Sequence, residues 1–110
     1  MKESEGPLGS LELIVLLAAM RLGSDAYGMT VRREIESATG RDISIGAVYA
    51  TLARLESKGF IKSFAGEPTA ARGGRAKRYF RMTAQGIGAV RNTHEIIRTM
   101  SAGIDGLQGS

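Results

Sequence analysis

No cysteine occurs among the 110 residues, which excludes disulfide frameworks, thiolate zinc sites and cysteine nucleophiles. Histidine is present once, as His94, so a histidine-rich metal site is excluded as well. Tryptophan is absent, and aromatic residues make up only 5% of the chain. Long apolar runs are also missing. The longest, residues 13–20, has eight members, against the ~20 needed to span a bilayer. The opening MKESEGPLGS carries three charges and no apolar stretch, unlike a secretory signal. The chain reads as a soluble, cytoplasmic protein.

Apolar residues at 43% and charged residues at 24% are globular values. A chain of this length forms one domain that buries roughly 60–70% of its unfolded surface. The net charge of +4 is unevenly spread. Residues 1–56 hold six basic against eight acidic side chains, a net of −2, whereas residues 57–110 hold nine against three, a net of +6. Arg72, Arg75, Lys77, Arg78 and Arg81 fall within ten residues that contain no acid. Such a patch marks a polyanionic partner, either nucleic acid or an anionic membrane surface.

Residues 1–9 read as a flexible tail, with Pro7 and Gly9 as breakers. Ser10 is placed to cap a first helix over 11–22, closed by Gly23. Its LIVLLAAM segment is apolar nearly all round, which predicts burial on more than one side. In so small a domain, the second covering surface is expected from another subunit. Asp25 opens a second helix over 27–39, with Tyr27, Val31, Ile35 and Ala38 inward and Gly40 as its stop. Ser44 caps a third helix to about residue 58, with Ile45, Val48, Leu52 and Leu55 as its apolar stripe. Two short helices joined by a turn match a helix-turn-helix. The period then changes. Residues 60–65 and 76–82 read as two strands joined by a loop rich in glycine. Thr83 caps a last helix to about residue 104, roughly 33 Å long. Ile87, Val90, His94, Ile97 and Ile104 recur on it at three- and four-residue steps, with Ser101 interrupting, as in a short coiled-coil seam.

The predicted class is mainly α with a small β-hairpin (α+β): a winged helix-turn-helix over 10–82, followed by a dimerisation helix over 83–107. At SIGAVYATLARLESKGFI (44–61) the chain resembles the PadR family of bacterial transcriptional regulators. The Ala26-Tyr27-Gly28 step, the strand from Gly74 to Thr83 and Gly86 fit the same family. The resemblance covers roughly residues 8–100 and the shorter family members, which have a single C-terminal helix. It implies a homodimer bound to a near-palindromic operator, usually a repressor, released by a small ligand or a stress signal. Family members commonly carry proline after the serine and after the tyrosine of this helix. Here those positions are Ile45 and Ala50.

With the apolar stripe inward, Gly46, Ala47, Ala50 and Arg54 fall on the opposite face and Tyr49 on the shoulder. Small residues allow close entry to a major groove, where alanine methyls can meet thymine methyls. Arg54 is the single long polar reader. Ser44 can offer its helix N-terminus to a phosphate. Arg72, Arg75, Lys77 and Arg78 suit a wing along the DNA backbone or in the minor groove. These ten residues are the expected DNA contacts. Leu13, Leu16, Leu17 and Met20 of the first helix, with Ile87, Val90, His94, Ile97, Ser101 and Ile104 of the last, are the expected dimer interface. A pocket for a small hydrophobic effector between subunits is a further expectation.

Catalysis finds no support. Glu34 and Glu36 are two apart on a helix and point in different directions. The ARGGR sequence lacks the ending and context of a phosphate loop. No cofactor and no metal are expected, and a membrane role is disfavoured because the basic stretch lacks helical amphipathicity. The rival reading is a winged-helix protein-interaction module that does not bind DNA.

Overall fold

The computed structural model describes residues 6–66 and 77–107. Its elements in chain order are α1 (Ser10–Leu22), a 3-10 turn (Gly23–Asp25), α2 (Gly28–Thr39), α3 (Ile45–Ser57), β1 (Ile61–Ala65), β2 (Arg78–Met82) and α4 (Ala84–Ser101). This is the expected mainly helical class with one hairpin, a winged helix.

Two of the four expected helix caps are realised. The Ser44 hydroxyl accepts the Ala47 N–H at 3.1 Å, and the Thr83 hydroxyl accepts the Gly86 N–H at 3.0 Å. The other two are corrected. Ser10 lies inside α1, and the capping position is Gly9, whose N–H donates to Glu12 Oε1 at 3.1 Å. Asp25 belongs to the 3-10 turn and does not cap α2. Thr30 does that work from inside the helix: its hydroxyl accepts the Tyr27 N–H at 2.9 Å and donates to the Asp25 carbonyl at 2.6 Å. Both corrections have one cause. A side chain three residues into a helix can reach back to the free N–H groups as well as a preceding residue can reach forward.

The core is formed by α1, α2 and α3, closed by the hairpin and the first half of α4. Val15, Leu16, Val31, Val48, Leu52, Leu55 and Ile61 are at most 1% exposed. Ala38, expected to face inward, is exposed on the last turn of α2 beyond this core. Leu16 and Val90, expected at a subunit interface, are 0% and 6% exposed within a single chain. Both belong to the core of the single chain. Residues 8 and 9 are not loose either, since the Leu8 N–H donates to the buried Thr93 hydroxyl at 2.9 Å.

The two strands pair antiparallel, Ile61 opposite Met82 and Ala65 opposite Arg78. Phe60 stays outside β1 because its N–H closes the end of α3 on the Leu55 carbonyl at 3.0 Å. Its own carbonyl accepts the Thr83 N–H at 3.1 Å, which draws the start of α4 onto the same turn. Gly86 is required there, because a Cβ would overlap the Phe60 carbonyl oxygen. The last helix is shorter than expected. Ala102 leaves the helical region at φ −63°, ψ 135°, so Ile104 lies past its end and α4 is about 27 Å long.

Two glycines of α4 therefore differ sharply. Gly86→Ala should cost about 1–3 kcal/mol by overpacking. Gly88→Ala, with nothing within 4 Å of its Cβ, should gain up to ~1 kcal/mol in helix propensity. Urea denaturation of both variants at one protein concentration checks the pair; equal midpoints would contradict the packing described here.

Candidate nucleic-acid interface

On α3, burial of Val48, Thr51, Leu52 and Leu55 turns the opposite face to solvent. That face carries Gly46, Ala50, Ala53 and Arg54, all exposed, with Ala47 half-buried beside them. Ser44 is exposed at its start. Tyr49 is 49% exposed, and its ring lies against Gly28, where any Cβ would overlap it. The tyrosine is thus neither a core residue nor a free one. It is a shoulder residue laid across the start of α2.

The segment before α2 continues into the hairpin. The Phe80 N–H donates to the Ala26 carbonyl at 2.9 Å, and Tyr27 forms a lone antiparallel bridge with Tyr79. The Tyr27 and Tyr79 rings meet edge to face at 5.1 Å, and Phe64 stacks on the other side of Tyr79 at 6.0 Å. Cations close both ends of this aromatic row. Lys77 Nζ lies 5.3 Å from the Tyr27 ring centre and the Arg81 guanidinium 5.1 Å from that of Phe64. Alternation along the strands puts Lys62, Phe64, Lys77, Tyr79 and Arg81 on one side of the hairpin. Arg78 is exposed on the other side.

Strand register adds two residues that sequence reasoning did not select as contacts. Lys62 is directly opposite Arg81, and like charges in that position repel. No described carboxylate pairs with Lys62, Lys77, Arg78 or Arg81. On α2 the pattern is the reverse: Arg32 is paired with Glu36 at 2.9 Å, and Glu34 with Arg21 at 2.6 Å. Lys62 was not legible because its opposition to Arg81 depends on a register spanning the loop. Arg72 and Arg75 lie outside the described residues.

Arg54 is half-exposed and leans back on α1. Its Nε lies 3.4 Å from Glu12 Oε2, the same oxygen that accepts the Lys58 ammonium at 2.8 Å. Burial alone would raise the Glu12 carboxyl. The Lys58 hydrogen bond, the Gly9 N–H and the charges of Lys58 and Arg54 outweigh it and hold the group below the ordinary value.

Of the residues expected at a subunit interface, Leu17 and Met20 are 39% and 41% exposed and Ile97 is 51% exposed. Leu13, Ile87 and Ser101 are half-buried, and His94 is exposed on α4. Ile14, Ile96 and Met100 extend the same apolar exposure. An open groove of about 380 Å³ runs beside them, lined by Ala19, Met20, Gly23, Ser24, Phe80, Arg81, Met82 and Ile87. Among the described residues no helix is long and apolar enough to cross a membrane.

Comparison with known proteins now decides the family. The sequence model of the transcriptional regulator PadR-like family matches residues 16–92. The chain belongs to that family. This PadR-like chain is a DNA-binding transcription regulator with a winged-helix fold. Among solved structures it is similar to a transcriptional regulator from Clostridium thermocellum, at 28% identity and a TM-score of 0.70, covering 83% of this chain and 85% of that one. Two further neighbours share its fold at 20% identity and a TM-score of 0.66 each. A PadR family regulator from hypervirulent Clostridium difficile R20291 is matched over 84% of this chain and 92% of its own. A PadR-like regulator from Bacillus cereus is matched over 91% and 93%. No curated protein matches the sequence.

The Glu12 cluster makes the stability of this PadR-like regulator depend on acid in a defined direction. A carboxyl held below its ordinary value in the folded state contributes stability above the unfolded value and loses it as pH falls through the folded one. Glu12→Gln should therefore flatten the loss of thermal stability between about pH 5 and pH 3. Parallel melting curves for variant and wild type across that range would show that Glu12 contributes nothing.

Proposed function

We propose that the chain is a homodimeric repressor that binds a near-palindromic operator. In this reading α3 enters the major groove with Ser44, Gly46, Ala47, Tyr49, Ala50 and Arg54 toward the DNA. The hairpin then lies along the flank as the wing, with Arg72, Arg75, Lys77 and Arg78 on the backbone or in the minor groove. Lys62 and Arg81 join them. Residues 10–82 act as the DNA-binding unit and 83–107 as the dimerisation segment.

One observation carries the reading: the side of the hairpin where, among the described residues, only like charges occur adjoins α3 through Tyr27, Gly28 and Tyr49. Cross-strand repulsion between Lys62 and Arg81 costs the free protein stability. A row of phosphates relieves it. The small face of α3 fits close groove entry, and two such helices about one helical turn (~34 Å) apart would read two half-sites.

The dimer rests on exposed apolar side chains. Leu17 and Met20 of α1, with Ile97 of α4, remain candidates together with Leu13, Ile87, His94, Ser101 and Ile104. Leu16 and Val90 are buried in the single chain. Exposed large aliphatics on two adjoining helices mark a contact surface. The groove between α1, β2 and α4 is the site we assign to a small apolar effector. We place the regulator in the cytoplasm and give it no enzymatic role.

The test is fluorescence anisotropy with duplexes selected by the protein from a random library, beside a random duplex, at several salt concentrations. Selected duplexes should bind at least ~10³-fold more tightly than random ones. Lys77→Ala should reduce the salt slope by about one. Absence of binding to every duplex at low salt would overturn this reading in favour of a protein-interaction module.

A further inference from the structure

We propose that Glu12 is a specificity-determining residue that holds Arg54 off non-cognate DNA and releases it to a matching base. The inference rests on the reading of α3 as the recognition helix and adds a residue of α1 to it. Glu12 is an acid at the edge of a surface meant for phosphates, which by charge alone weakens DNA binding. Its side chain is 9% exposed, and its two oxygens are unequally used. Oε1 accepts the Gly9 N–H at 3.1 Å, and Oε2 accepts the Lys58 ammonium at 2.8 Å. Those two bonds satisfy the carboxylate. The Arg54 Nε, at 3.4 Å from Oε2, is a third and looser partner, and its side chain is 53% exposed.

The asymmetry is what makes the contact releasable. When Arg54 leaves, Glu12 keeps Lys58 and Gly9, so no buried charge is stranded. Were Arg54 its only partner, departure would leave an uncompensated carboxylate. A loose, half-exposed ion pair is weak, so a bidentate contact from arginine to a guanine edge outcompetes it. A single phosphate contact is too close in strength to do so decisively. Glu12 therefore taxes random DNA, where Arg54 has only phosphate to meet, more than matched DNA.

The experiment measures binding of wild type, Glu12→Gln, Arg54→Ala and the double variant to a random 30-base-pair duplex and to a duplex selected by wild type. Glutamine keeps one acceptor oxygen for the Gly9 N–H and removes the charge that holds Lys58 and Arg54. Glu12→Gln should tighten random-duplex binding roughly two- to fivefold, steepen its salt slope, and tighten selected-duplex binding less. In the Arg54→Ala background most of that gain should vanish. A gain of equal size without Arg54 would reduce Glu12 to a repelling charge and overturn the proposal. So would an unchanged Kd in the Glu12→Gln protein. If wild type binds neither duplex at low salt, the recognition-helix reading itself has failed, and this inference falls with it.

A second measurement needs no variant. On saturation with the selected duplex, the Nε–H resonance of Arg54 should shift while the Glu12 carboxyl carbon stays in place. An unmoved Arg54 resonance would overturn the release.

Discussion

Three residues, Ala26 to Gly28, hold the hairpin and α3 of this molecule in a common frame. The Ala26 carbonyl accepts from Phe80 of β2, the Tyr27 ring abuts Tyr79, and Gly28 makes room for Tyr49 of α3. A two-stranded hairpin is marginally stable alone. Here its second strand is bonded on both edges, to β1 and to the Ala26–Tyr27 backbone. The aromatic row of Tyr27, Tyr79 and Phe64 packs along one side of it. Without this junction, the hairpin and α3 would be a basic feature and a small-residue feature with no set separation.

α1 shows how one apolar segment meets two demands. Leu16 and Leu17 are neighbours in sequence, yet the first is wholly buried and the second is 39% exposed. One step of about 100° around a helix separates a core residue from a surface residue. α4 divides along its length instead. Gly86, Val90 and Thr93 pack on the body, whereas Ile96, Ile97 and Met100 stay exposed.

Much of this was legible before any coordinates. The three- and four-residue spacing of apolar side chains marks α2 and α3 because each buries a single stripe, and the change to alternation after Gly59 marks the hairpin. Where apolar residues cover a helix all round, as in α1, spacing cannot tell the protomer's own core from a partner's, and Leu16 packs in the core of the single chain. Ser10 and Asp25 resemble caps by position, but Glu12 and Thr30 do the capping from inside their helices. The site was partly hidden for a different reason. Glu12 and Lys58 are 46 residues apart, and Lys62 meets Arg81 only through strand register. Contacts of that range carry no local signature. Arg54 could be read as an outward cation, but not as one already leaning on an acid.

If α3 and the hairpin bind DNA as one surface joined at Tyr27 and Gly28, as we propose, both respond together to a duplex. The most direct measurement is chemical-shift mapping of the isotope-labelled protein titrated with a selected duplex. One joined surface predicts that amide shifts concentrate in residues 44–54, 62–64 and 77–81, and that the Tyr27 and Gly28 signals move with them. Shifts confined to α2 and the end of α4, with the hairpin and α3 unmoved, would contradict it.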